Sequence, residues 1–389
     1  MSVFRGIDYF ELEREFTDEE RIIRDTVREF VEKEFLPIVV DHYRKGTFPV
    51  EIIPRLGELG VFGACYSGYG LPGISNVAYG LIMQELERGD SGLRSFASVQ
   101  GALVMYPILE YGTEEQKERW IPLLASGKAI GCFGLTEPDH GSDPGGMKTR
   151  AVRDGSEFVI TGTKMWITNG SIADVAVVWA KCDGEVRGFL VEKGTPGFEA
   201  RDIKSKLSMR ASVTSELIFD EVRIPEENAL PGAVGLKAAL RCLTQARYGI
   251  AWGSVGAAMA CFEEALSYAK ERVQFGRPIA SFQLTQAKLA DMVTEITKAQ
   301  LVCLHLGRLK DAGRLTHQQV SLAKRNNVRM ALQIARTARG ILGANGITDE
   351  YCVMRHMCNL ETVDTYEGTY EIHTLVIGRD LTGFDALTS

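Results

Sequence analysis

DVAVVWAKCDGEVRGFLVEK, residues 174–193, consists of two runs dense in β-branched and aromatic residues on either side of Asp183-Gly184. Asp-Gly readily adopts the positive φ angles of a two-residue hairpin turn, so the stretch predicts a pair of strands. The same texture recurs nearby: EFVITG (157–162) follows Asp154-Gly155, and SELIFDEVRI fills 215–224. A strand-rich unit is therefore expected to begin after Gly127 and to end near Leu230, where IPEENALPG (224–232) brings two prolines and a glycine.

On both sides of this unit the patterning is helical. TDEE at 17–20 forms a capping box with Thr17 as cap and Glu20 reaching back, and Ile22, Ile23, Val27, Phe30, Val31 and Phe35 make an apolar stripe expected to stop at Pro37. TEEQ at 113–116 opens another helix, expected to close at Pro122. Between them ISNVAYGLIMQELER (74–88) is helical, GDSG (89–92) interrupts, and LRSFASVQGALVMYPILEYG (93–112) is apolar enough on all sides to be buried. From Gly235 to about Gly378 the chain predicts four or five helices, with breaks at GRP (276–278), DAGRLT (311–316) and GANGITDE (343–350). The expected organisation is α+β: an α-helical domain over 1–128, a β domain over 129–230 and an α-helical domain over 231–389.

Composition narrows the function classes. Among 389 residues, 44 Lys and Arg stand against 51 Asp and Glu, a formal charge of −7 with no basic concentration of the kind nucleic-acid binders need. The longest uncharged run near the middle, Tyr248–Phe262, is shorter than the roughly 20 apolar residues of a membrane span and predicts a buried helix. The acidic start MSVFRGIDYFELERE has neither secretory nor mitochondrial targeting character, which predicts a cytoplasmic protein, or a matrix protein already processed. The 8 cysteines are scattered without a CxxC, so reduced thiols are expected; Cys352, His356 and Cys358 lack a fourth ligand and the spacing of a metal site.

Four segments can carry chemistry. GLTEPDHGSDPGG (134–146) offers amides and hydroxyls to a polar ligand, although its residues are also ordinary turn formers. KMWITN (164–169) sets Trp166 beside hydroxyl and amide groups, with a core tryptophan as the alternative. RVQFGRPI (272–279) places Arg272 and Arg277 around Phe275 and Gly276, and the alternative is cationic capping of a helix end. TYEGTYEIH (365–373) puts Glu367 between Tyr366 and Gly368 in a break before the last helix, where many Glu residues are caps.

Taken together and in order, GLTEPDHGSD, KMWITN, FDEVRIPEEN, ERVQFGRPI, GANGI with Glu350 and Arg355 after it, and TYEGT resemble the acyl-CoA dehydrogenase family along essentially the whole chain. The resemblance implies an N-terminal helical domain, a middle β domain and a C-terminal four-helix domain in a homotetramer of FAD-containing subunits. It also implies an acyl-CoA substrate and electron-transfer flavoprotein as acceptor. On it, Leu135, Thr136, Ser142, Trp166, Thr168 and Thr369 hold the flavin ring and its chain. Arg272, Phe275 and Gln283 of a neighbouring subunit, with Gly343 and Gly346, hold the pyrophosphate and adenine half. His140, Gly340 and Ala344 depart from the residues usual in the family.

The resemblance assigns the base to Glu367, because the family's alternative Glu position, immediately before Arg247, is Ala246. Enclosure should raise the pKa of Glu367 towards the working pH, and its backbone amide, with a flavin hydroxyl, is the family's donor to the thioester oxygen. Arg94 opens an almost apolar helix and needs an anion: Glu87 or Asp90 as a structural partner, or the distal carboxylate of the substrate. Glu87, Arg94, Ser95, Ser98, Ser142, Arg247 and Tyr366 are the expected substrate contacts, and the segment is similar to the glutaryl-CoA-oxidising branch. That branch implies dehydrogenation with decarboxylation to crotonyl-CoA, favoured by Tyr366. The alternatives are a non-decarboxylating enzyme, a short- or branched-chain dehydrogenase, an oxidase, and a non-catalytic flavin-binding or DNA-associated relative.

Overall fold

The computed structural model describes residues 8–386. The first helix, α1 (Asp18–Phe30), starts at the Thr17 box: the Glu20 carboxylate accepts from the Thr17 amide at 2.9 Å and Thr17 Oγ1 accepts from the Glu20 amide at 3.2 Å. The stripe does not stop at Pro37. A π-helical turn, Val31–Phe35, carries the chain directly into α2 (Leu36–Lys45), and Pro37 falls in the first turn of that helix, where no N–H is needed. The end comes at Gly46, whose φ of 70° is the usual left-handed helix stop.

Beyond a short helical turn at Ile53–Glu58 come α3 (Asn76–Gly89) and α4 (Ser91–Ser98), separated by the single extended residue Asp90, whose carboxylate accepts from the Gly92 amide at 2.7 Å. A second π-helical segment, Val99–Met105, joins α4 to α5 (Tyr106–Tyr111). In α6 (Glu114–Ala125) Pro122 lies inside the helix rather than at its end. A proline removes one backbone hydrogen bond, and burial of Trp120, Ile121 and Leu124 holds the remaining turn.

The strands β1 (Gly131–Gly134), β2 (Arg150–Asp154), β3 (Glu157–Thr168), β4 (Val175–Cys182), β5 (Glu185–Glu192), β6 (Phe198–Asp202), β7 (Thr214–Pro225) and β8 (Ala229–Val234) form one sheet in the order β8-β5-β4-β2-β3-β7-β6, with β1 parallel to β4. Asp183-Gly184 is the hairpin turn expected, between the paired Cys182 and Glu185, whereas Asp154 pairs with Glu157 as the last strand residue and the turn there is Gly155-Ser156. Strand β4 is apolar from Val175 to Ala180 because it has two buried faces. Val175, Val177 and Trp179 enter the core shared with the helices, while Ala176, Val178 and Ala180 enter a second core with Phe158, Phe189 and Phe219.

The C-terminal unit comprises α7 (Leu236–Glu271), α8 (Gln283–Asp311), α9 (His317–Ile341), α10 (Cys352–Thr365) and α11 (Tyr370–Thr382). Tyr248–Phe262 is the buried centre of α7, and Gly256 lets α7 touch α3: a Cβ there would lie 1.9 Å from the Gln84 carbonyl. RVQFGRPI is a small hairpin, Val273–Gln274 against Arg277–Pro278, turning at Phe275 (φ 52°) and Gly276 (φ 78°). All eight cysteines are free thiols. Among the described residues no helix is long and apolar enough to cross a membrane, and no group of three His, Cys, Asp or Glu side chains could hold a metal ion.

Candidate active site

The turn between α10 and α11 is bent by two residues with positive φ, Glu367 at 52° and Gly368 at 97°, before Thr369 caps α11 through its hydroxyl. A non-glycine residue in this conformation is strained and must be held. Two cations hold it by the backbone. Lys324 of α9 donates to the carbonyls of Tyr366 and Gly368, both at 2.6 Å, and Arg247 Nε of α7 donates to the Glu367 carbonyl at 2.5 Å. The Glu367 carboxylate is left with Oε2 buried and unpartnered. Burial pushes its pKa above the ordinary carboxylate value against the pull of Arg94, Lys324 and Arg247, the combination expected of a proton acceptor that must not be quenched by an ion pair.

Arg94, fully buried on α4, points into the same cluster. Its Nε donates to Glu87 Oε2 at 2.6 Å, its Nη2 donates to the Tyr366 hydroxyl, and its guanidinium lies 5.6 Å from the Tyr366 ring centre. Burial works to lower its pKa, but Glu87 foremost more than reverses this and keeps it charged. Asp90, the other possible partner, is taken instead by Arg355 at 2.5 Å and Asn359 at 2.9 Å, which tie α10 to the start of α4. Glu87 is further held by the Ser91 hydroxyl at 2.9 Å, and Gly253 of α7 makes room for the pair, since a Cβ there would lie 2.1 Å from Glu87 Oε2. Arg94 Nη1 has no partner, nor does the Ser98 hydroxyl one turn further on; Ser95 is buried beside them.

The β domain adds an aromatic face. Between Lys164 and Ile167 the pairing of β3 with β7 slips by one residue, and Trp166 sits on that bulge with φ 65° and 60% of its surface exposed, not in the core. The Met165 amide donates to the Thr136 carbonyl at 2.8 Å, bringing Leu135 and Thr136 to the bulge, while Thr168 pairs with Thr214 across the ladder. Two residues without an individual role in the sequence analysis anchor this loop. Lys164 is fully buried and donates to the Leu135 carbonyl at 3.0 Å and to Glu137 at 2.9 Å. Glu137 also accepts from the amides of Lys148 at 2.6 Å and Thr149 at 2.9 Å. Burial would raise the Glu137 pKa, but these bonds bring it to about 2, while burial lowers Lys164 to about 8 against the pull of Glu137.

His140 closes the loop by exchanging backbone hydrogen bonds with Glu137 and lays its ring against Gly146; Ser142, beyond it, is exposed. Arg272, Phe275, Gln283 and Gly343 lie on the surface, outside the buried cluster, with Phe275 94% exposed. Gly346 is buried against the Arg339 carbonyl, and Gly340 and Ala344 are exposed. Lys324 and Gly253 also went unassigned in the sequence: a lysine in an amphipathic helix usually projects to solvent, and a glycine in a run of small residues has no chemistry of its own.

A buried carboxylate with a raised pKa, a buried guanidinium with one free nitrogen and an exposed indole on a bulge suit a dehydrogenase of acyl thioesters. The chain belongs to the acyl-CoA dehydrogenase family, matching its N-terminal domain over residues 17–128, its middle domain over 132–222 and its C-terminal domain over 233–382. It is 60% identical to a glutaryl-CoA dehydrogenase of Mycobacterium smegmatis, with a TM-score of 0.96 and 97% of this chain and 98% of that one covered. A second glutaryl-CoA dehydrogenase from Mycobacterium smegmatis, in complex with FADH2, is 53% identical with the same TM-score and coverage. The short-chain specific mitochondrial acyl-CoA dehydrogenase of Bos taurus is 37% identical over 378 residues, 94% of this chain and 91% of that protein. The cofactor is FAD; Trp166, turned out on its bulge and 60% exposed, offers an aromatic face to a planar ring.

Proposed function

We propose that the protein oxidises glutaryl-CoA between its α and β carbons, releases the distal carboxylate as CO2 to give crotonyl-CoA, and passes the electrons to electron-transfer flavoprotein. The observation that carries this reading is the free Nη1 of Arg94, fully buried beside a base whose own Oε2 is free. A guanidinium nitrogen left unpartnered in a dry site is costly unless a ligand completes it. The ligand must be anionic and must reach past the reacting carbons, as the far carboxylate of a dicarboxylic acyl chain does. Ser95 and Ser98 supply further polar contacts along that path.

Glu367 removes a proton from the α carbon while its backbone amide donates to the thioester oxygen, where negative charge develops. FAD, when bound, supplies the acceptor for the hydride that leaves the β carbon; Leu135, Thr136, Ser142, Trp166, Thr168 and Thr369 are the residues assigned to hold its ring and chain. The double bond now places the distal carboxylate vinylogous to the thioester. Its C–C bond breaks, CO2 leaves, and the electron pair moves towards the thioester oxygen. Protonated Glu367 returns its proton to the γ carbon, giving crotonyl-CoA. Tyr366 shares Arg94 through its hydroxyl, which weakens the grip of Arg94 on the carboxylate and favours release over retention. We assign Arg272, Phe275 and Gln283, with Gly343 and Gly346, to the pyrophosphate and adenine end of FAD across a subunit interface of a homotetramer.

The test is anaerobic mixing of the holoenzyme with glutaryl-CoA, recording flavin bleaching and CO2 together. Bleaching with one CO2 per flavin is expected; bleaching without CO2 leaves a glutaconyl-CoA-forming enzyme. Kinship with short-chain enzymes supports a second reading, a monocarboxylic dehydrogenase, which a preference for butyryl-CoA would establish. Glu367→Gln should keep FAD and bind thioester but lose flavin reduction by at least about 10³-fold, and rapid bleaching in that variant would remove Glu367 from the role of base.

A further inference from the structure

We propose that Lys324 is a positioning residue for the reaction, fixing the direction of the Glu367 amide by gripping the carbonyl that precedes it. The inference rests on the assignment of Glu367 as base and of its amide as donor to the thioester oxygen. In a trans peptide the C=O of one residue and the N–H of the next point in opposite directions. Lys324 Nζ lies 2.6 Å from the Tyr366 carbonyl oxygen, so the Glu367 N–H is aimed away from the ammonium. The same ammonium lies 2.6 Å from the Gly368 carbonyl oxygen, and Arg247 takes the Glu367 carbonyl between them at 2.5 Å. Three successive carbonyls are thus turned towards two cations, so the Glu367 amide points away from Lys324 and the Gly368 amide away from Arg247.

The charge of Lys324 does more than hold the turn. Lys324 is buried, with 1% of its surface exposed, and its ammonium hydrogen-bonds to carbonyl oxygens rather than to a carboxylate. Glu367 and Asp364 face it as charges, as do Arg247 and Arg94, while the Tyr366 ring lies 5.8 Å away. Burial pulls the Lys324 pKa down to about 7 against the pull of Glu367, so keeping an ammonium here is costly, and a neutral side chain would fill the space with less desolvation. What a neutral side chain cannot do is polarise the Tyr366–Glu367 peptide, which makes its N–H a stronger donor where charge develops on the thioester. The same contact holds Glu367 at a φ of 52°, a conformation a glutamate does not keep unaided.

Lys324→Met and Lys324→Arg holoenzymes test this against wild type in two measurements. The first is the rate constant of flavin reduction in single turnover. The second is the carbonyl stretch of bound crotonyl-CoA labelled with carbon-13 at the thioester carbon, read by isotope-edited infrared spectroscopy. Lys324→Met should reduce flavin about 100-fold more slowly, in the range of a lost oxyanion donor, with the dissociation constant of crotonyl-CoA changed less than about threefold. Its bound carbonyl should return towards the frequency of free thioester, and Lys324→Arg should recover part of both effects. Flavin reduction within about threefold of wild type, or an unchanged carbonyl shift, overturns the proposal. If Lys324→Met does not retain FAD, Lys324→Gln is held to the same criteria. Failure of the wild-type enzyme to be bleached by glutaryl-CoA or butyryl-CoA would instead sink the reading of the reaction on which the proposal rests.

Discussion

Arg94 keeps its charge in a fully buried position because Glu87 lies 2.6 Å from its Nε, yet that pair leaves Nη1 free. The two alternatives posed by the sequence, a structural ion pair and a substrate contact, therefore apply to different nitrogens of one side chain. The planar fork makes this division possible, whereas a lysine would present a single point of charge. Replacing Arg94 by Gln should lower kcat/KM for glutaryl-CoA about 10- to 100-fold, the span of a lost charge-assisted hydrogen bond. Activity on butyryl-CoA, which has no distal carboxylate, should change far less. Equal losses on both substrates would make Arg94 a purely structural partner of Glu87. The variant also strands Glu87 in the core, so a lower melting temperature is expected beside the kinetic change.

At the level of elements, the cofactor face depends on how β3 and the loop from Gly134 to Thr149 are pinned. A one-residue bulge turns Trp166 out, and the buried Glu137–Lys164 pair ties the loop to the strand carrying it. Glu137→Gln should destabilise the protein by about 3 kcal/mol at pH 7, the scale of breaking a buried pair, and loosen FAD. The sign of the pH dependence follows from the shift. The folded pKa, about 2, lies below the ordinary value of 4.5, so the contribution is full above 4.5 and is lost as pH falls towards 2. The stability difference between wild type and Glu137→Gln, from denaturant titrations, should shrink from pH 7 to pH 3; a constant difference would show that Glu137 acts by shape alone. Of these features the sequence displays the strands, the Asp183-Gly184 turn and the capping boxes, because each is written in local residue preference. The bulge at Trp166, the π-helical turn before Pro37 and the acceptance of Pro122 within α6 are set by burial and distant partners. The hairpin at Val273–Pro278 was hidden for another reason: four strand residues around a Phe-Gly turn are too few for any periodicity.

Across the whole molecule, Arg272, Phe275, Gln283 and Gly343, proposed for the pyrophosphate and adenine end of FAD, lie at the surface. Phe275, at the tip of its hairpin, is 94% exposed, and Val273 and Leu284 near it are exposed apolar side chains as well. Such a patch on a hairpin that does not contribute to its own core is characteristic of an interface. It explains why motif order could announce the family while periodicity could not say where RVQFGRPI acts, since its proposed partner lies on another subunit. If the hairpin completes a neighbour's FAD site, cofactor retention and assembly must be linked, because anything bound only by the assembled form stabilises it by mass action. Phe275→Asp should therefore reduce both the flavin content of purified protein and the tetramer fraction in sedimentation velocity, and added FAD should shift the variant back towards tetramer. The alternative is a hairpin that binds cofactor within its own chain, and a variant that loses FAD while remaining tetrameric would establish that instead. Retention of both FAD and tetramer would take Phe275 out of the interface altogether.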